Sequence, residues 1–123
     1  MTKLEMEGGV YGGTRERPSG WWVNKALALL ADRKCQHVIL DTDRGFIQAK
    51  WCEDDNGAAR DLLVELRLNM SDDYFEHYSL QELNGSYFHH VERAVPLFLR
   101  FLANERMPAG MTWVNVKSVI YDQ

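Results

Sequence analysis

Only two of the 123 residues are cysteine and three are proline. Cys35 and Cys52 lie in unrelated contexts without Cys-x-x-Cys spacing, which argues against a disulfide framework and fits a reducing cytoplasm. No apolar run approaches the roughly 18 residues that a spanning helix needs, so no membrane partner is expected. Met1 to Gly9 holds two glutamates and no apolar stretch, so no secretory leader is expected either. What remains is ordinary: 46% hydrophobic and 26% charged residues suit one globular domain rather than a disordered or fibrous chain. A chain of this length buries roughly two-thirds of its unfolded surface and needs no metal or disulfide to form a core.

Charge is unevenly placed. Residues 1–40 carry a net +2, residues 41–82 carry eleven acidic against four basic side chains for −7, and residues 83–123 carry +1. An acidic middle third attracts basic partners and repels nucleic acid phosphates. Lys3, Arg15, Arg17, Lys25, Arg33 and Lys34 are scattered over the first segments, so the basic, aromatic-studded patch of a nucleic acid binder is not expected.

Periodicity gives the organisation. Residues 1–19 form a glycine-rich arm, read as loop or a frayed edge strand. Its Gly8-Gly9-Val10-Tyr11-Gly12-Gly13 stretch lacks the Gly-Lys-Ser/Thr ending of a phosphate loop. Ser19 is placed to cap a helix over 20–34, with Trp22, Val23, Ala26, Leu29 and Leu30 on its apolar stripe and Trp21 and Leu27 widening it. From residue 36 the period becomes two. Strands are expected over 36–41, 45–52, 60–69 and 74–80, separated by turns at Asp43-Arg44-Gly45, Asn56-Gly57 and Ser71-Asp72-Asp73; residues 60–69 also fit a helix, with Ala59, Leu62, Leu63, Leu66 and Met70 at helical spacing, and the Asn-Gly turn before them favours the strand. A long helix over 87–106 follows, with Phe88, Val91, Val95, Phe98 and Leu102 in one arc and Pro96 on the polar side, and then a last strand over 111–121. The expected fold is α+β: residues 1–123 as a single domain, an antiparallel four- to five-stranded sheet in a meander, and an N-terminal helix and a long second helix packed on one face.

The search for chemistry returns no catalytic residue, no metal site and no cofactor site. His89 and His90 are adjacent, so they diverge by about 100° on a helix and do not share an ion. His37 and His77 read as surface polar residues. No register from Asp41 or Glu53 satisfies a calcium loop. No Gly-x-Ser-x-Gly is present, and the one cysteine–histidine pair that neighbouring strands might assemble is Cys52 with His77. The acid pairs Asp41/Asp43, Asp54/Asp55 and Asp72/Asp73 all fall at turns, where Asp bonds its own backbone. What stands out is a combination of acidic and aromatic surface. Glu53, Asp54, Asp55 and Asp61 cluster at one hairpin end, and Asp72, Asp73, Tyr74 and Glu76 at the next turn and strand. Aromatic anchors rimmed by acids suit a basic protein partner.

A helix, an acidic meander containing Lys50-Trp51-Cys52-Glu53, then Tyr74-Phe75-Glu76-His77-Tyr78 before a long amphipathic helix resembles the small cytoplasmic immunity proteins of bacterial contact-dependent growth inhibition and other polymorphic toxin systems. The resemblance covers roughly residues 20–105. It implies a non-enzymatic antitoxin that binds one cognate toxin domain, often a basic nuclease, and blocks its active site. The acidic and aromatic residues above are then the partner-binding set. The same element order is similar to type III secretion chaperones, which bind effector segments, although a clear third helix is missing. A small enzyme or ligand-binding domain using a pocket under the second helix is the third reading. An uncovered edge strand would also permit a homodimer.

Overall fold

The computed structural model describes residues 2–8, 12–53, 59–70, 75–81, 91–108 and 111–115. The elements run β1 (Lys3–Glu7), β2 (Gly13–Glu16), α1 (Gly20–Ala31), β3 (His37–Thr42), β4 (Gly45–Glu53), β5 (Ala59–Asn69), β6 (Phe75–Gln81), α2 (Val91–Leu102) and β7 (Thr112–Asn115). All strands join one antiparallel sheet in the order β2-β1-β3-β4-β5-β6-β7. The expected meander is there as β3 to β7. The glycine-rich arm adds two further strands, because its short Lys3–Glu7 run pairs with β3 from Lys3↔Asp41 to Glu7↔His37.

Alternation decides the faces. Leu4 of β1, Val38 and Leu40 of β3, Ile47 and Ala49 of β4, Leu62, Val64 and Leu66 of β5, and Leu80 of β6 are buried on one side. Against them pack Val23, Ala26, Leu27 and Leu30 of α1 and Val91, Ala94, Leu97, Phe98 and Phe101 of α2. The fold is therefore α+β with both helices on one face, and among the described residues no helix is long and apolar enough to cross a membrane.

Four details depart from the sequence expectation. Leu27, expected at the margin, lies at the centre of the α1 stripe, whereas Trp22 is only half-buried and Trp21 is 62% exposed. Ser19 sits at the N-cap with an extended backbone, but its side chain makes no capping hydrogen bond; only its carbonyl accepts, from the Val23 amide at 3.2 Å. Within the described residues α2 ends at Leu102 rather than near residue 106. Asn104 adopts φ 61°, the Asn104 amide donates to the Phe101 carbonyl and the Glu105 amide to the Arg100 carbonyl, a left-handed stop of the Schellman kind. α1 closes the same way through Arg33 at φ 58°, with the Lys34 amide on the Leu29 carbonyl.

Two side chains pin these helix ends to β4. The Trp51 indole N–H donates to the Leu30 carbonyl at 2.7 Å while the Arg33 guanidinium lies 3.9 Å over the Trp51 ring. At the other end of β4, Arg44 donates to the Phe101 carbonyl at 2.8 Å and covers the Phe101 ring at 4.6 Å. Each contact adds a second donor to a carbonyl in the last turn of its helix, which also accepts from the backbone amide of Arg33 or Asn104. Gly45 makes the β3–β4 turn possible. Its φ is +138°, and a Cβ there would lie 1.9 Å from the Arg67 carbonyl oxygen.

Candidate partner-binding face

With both helices on one side, the opposite side of the sheet carries the alternate residues of every strand. Register aligns Glu5, Ile39, Gln48, Glu65, Ser79 and Val114 in one row across six strands. On one side of this row lie Lys3, Asp41, Phe46, Arg67 and His77; on the other lie Glu7, His37, Lys50 and Leu63.

A chain of polar contacts runs through it. Glu7 Oε2 is 3.4 Å from His37 Nδ1, His37 Nε2 is 2.9 Å from Gln48 Oε1, Gln48 Nε2 donates to Glu65 Oε1 at 2.8 Å, and Glu65 Oε2 is 3.1 Å from His77 Nε2. Lys50 Nζ stands 3.9 Å from Glu65. Proton logic fixes the directions. An ionised carboxylate only accepts, so Gln48 presents its N–H to Glu65 and its carbonyl to His37, and His37 Nε2 must carry the hydrogen. His37 Nδ1 is the ring nitrogen that faces Glu7. Glu65 and His77 are 12% and 16% exposed, and Ser79, directly opposite Glu65, is buried. Apolar area is interleaved: Ile39, Phe46 and Leu63 are half-buried, and Phe46 meets His77 edge-on at 6.0 Å with the Arg67 guanidinium 5.9 Å from its ring.

The partner-binding residues expected from sequence are distributed differently from one continuous patch. Glu53 ends β4, past an irregularity at Cys52/Glu53, and Asp61 is registered opposite Cys52. Asp54, Asp55, Asp72, Asp73 and Tyr74 lie outside the described residues. Glu76 pairs with Leu68, seven positions along β5 from Asp61, roughly 23 Å at strand rise. Asp61 and Glu76 therefore lie toward opposite ends of β5. Glu76 also shares the helix side of the sheet with Leu68 and Tyr78, and it accepts a hydrogen bond from the Tyr78 hydroxyl. The Cys52–His77 pair is not assembled: Cys52 is opposite Asp61 and His77 opposite Arg67, with β5 between their strands. His37 and His77, expected as surface residues, are half-buried members of the polar chain, while His89 and His90 lie outside the described residues. The outward places of Gln48 and Glu65 followed from alternation alone; their meeting with two histidines depends on register across four strands.

Among the described residues no three His, Cys, Asp or Glu side chains converge as metal binding requires. Glu65 and His77 sit side by side on neighbouring strands and are mostly buried, whereas a pocket of about 440 Å³ is lined by Thr2, Arg17, Pro18 and Leu102. An array of donors and acceptors between apolar side chains suits recognition of another surface. No family model, no curated protein and no solved structure matches this chain.

Proposed function

We propose that this chain is a non-enzymatic immunity protein of the cytoplasm, which binds a cognate basic toxin domain, such as a nuclease, and holds it inactive. The observation that carries the reading is the sheet side opposite the helices, where polar and apolar side chains alternate across β3, β4 and β5, in a chain whose residues 41–82 carry a net −7. Ile39, Phe46 and Leu63 supply apolar contact area, and the chain from His37 to His77 supplies fixed donors and acceptors. Glu53, Asp54, Asp55, Asp61, Asp72, Asp73 and Tyr74, all within the acidic segment of the sequence, steer and orient the basic partner in this reading. Glu76 contributes less, since it faces the helix side and already accepts from Tyr78.

The test is protection of cells that produce the toxin domain retained by the tagged chain. Reversing the charges of both acidic clusters should abolish protection, and so should Ile39→Arg with Leu63→Arg, two half-exposed positions outside the polar chain. Unfolding midpoints control for lost fold. Protection that survives both sets of changes rejects this surface.

A further inference from the structure

A second surface lies at the other edge of the molecule, where α1 begins beside β2. Among the described residues the large apolar side chains left exposed are Trp21 and Met70, and Trp21 is 62% exposed. Its ring meets Trp22 edge-on with centroids 4.8 Å apart, and the Arg15 guanidinium covers Trp22 at 4.0 Å. Trp21 thus has an edge-on aromatic neighbour on one side and solvent on the other. Lys25 lies one turn further along the same exposed helix surface. Arg15 of β2 and Arg17, in the connection from β2 to α1, add two further cations against one acid, Glu16, and all three are exposed. The first turn of α1 contains no acidic side chain. β2 is the outermost strand of the sheet, with all four residues exposed, so no described strand covers the corner.

We infer that the Trp21 corner, with Arg15, Arg17 and Lys25, is a docking surface for an acidic segment of a partner protein. Tryptophan and arginine are the residues that most often dominate interface energies. Charge selects the occupant. The corner is locally cationic in a chain whose net charge is −4 and whose centre carries −7, so it attracts a short acidic segment that touches the corner alone. A long polyanion such as RNA would also meet the repulsive field of the sheet. This surface is separate from the one proposed for the toxin and shares no residue with it.

The probe is a capped glutamate-rich peptide with one central leucine, titrated into the full chain at low salt while amide and indole NMR signals are followed. The expected result is a saturable shift of the Trp21 indole and of amides in 14–25, weakened by added salt. Trp21→Ala, or Arg17→Glu with Lys25→Glu, should weaken binding at least about tenfold, and these exposed changes should leave the melting temperature in place. The same peptide with glutamine for glutamate should not bind. Equal binding of the glutamine peptide, absence of any shift at the corner, or tighter binding of oligouridine at the same signals would each overturn the inference.

Discussion

Gly45→Ala is the substitution to which this fold should be most sensitive for its size. It adds one methyl group at a position where φ is +138° and the new Cβ would sit 1.9 Å from the Arg67 carbonyl oxygen and 2.8 Å from its carbon. The backbone strain alone is about 1–3 kcal/mol for a non-glycine residue. The clash is with backbone, so no side chain can swing aside. Relief requires β4 to move away from β5 by more than 1 Å, roughly the gap between 1.9 Å and ordinary contact. That movement loosens the Gly45↔Leu68 pairing and the bond from the Asn69 amide to the Arg44 carbonyl, now 2.7 Å, at about 1 kcal/mol each. The expected cost is about 3–5 kcal/mol, a large share of a typical domain's stability. Gly13→Ala is the control: its φ is +149°, but nothing lies within 4 Å of the added Cβ, so strain alone applies and the cost should stay near 1–2 kcal/mol. Urea unfolding of both variants measures the difference. If Gly45→Ala costs no more than Gly13→Ala, the close approach of β4 and β5 is wrong.

Other substitutions test the helix anchors and the buried thiol. Trp51→Phe keeps most of the ring but removes the indole bond to the Leu30 carbonyl, which still accepts from the Arg33 amide, so unfolding should become easier by about 1 kcal/mol in a denaturant melt. Arg33→Ala loses the stack on Trp51 and keeps the left-handed strain, a loss of about 1 kcal/mol, whereas Arg33→Gly loses the same stack but relieves the strain and should stay near wild type. A melt in which the two Arg33 variants agree would deny the φ of 58° its role. Burial pushes the Cys35 thiol above its ordinary value of 9.0, so the unfolded chain ionises first as pH rises. Stability should therefore decline from about pH 9 upward, and Cys35→Ala should flatten that decline in melts taken across the range.

Alternation made much of this legible in the sequence. Ile47, Ala49 and Trp51 on one side of a strand and Gln48 and Lys50 on the other, or Leu62 to Leu68 against Glu65 and Arg67, follow from a period of two and a side that must be buried. The arm was harder. Lys3–Glu7 is short and charged at alternate places, and only pairing with β3 makes it a strand; no local signal specifies that long-range partner. The first helix follows from periodicity, expected over 20–34 and observed over Gly20–Ala31, but which of Trp22 and Leu27 is the more deeply buried depends on tertiary packing, which periodicity does not contain. The candidate site was legible in kind and not in place. Acid clustering marked the middle third, yet a meander sends successive turns to opposite ends, so Asp61 and Glu76 fall at the two ends of β5. The chain from Glu7 to His77 joins residues 70 positions apart in sequence, and only the register of five strands assembles it.

The central claim is that this sheet serves to bind a basic toxin, and the most direct measurement is capture of the partner. The tagged full chain is passed at low salt over extract of the cells it comes from, and retained proteins are identified by mass. The account predicts one basic toxin domain, released by salt and no longer retained once both acidic clusters are reversed in charge. Retention of a secreted effector through its N-terminal segment would contradict it in favour of a chaperone. Absence of any specific protein partner would contradict it as well, and would turn attention to the Glu65–His77 pair as chemistry rather than recognition.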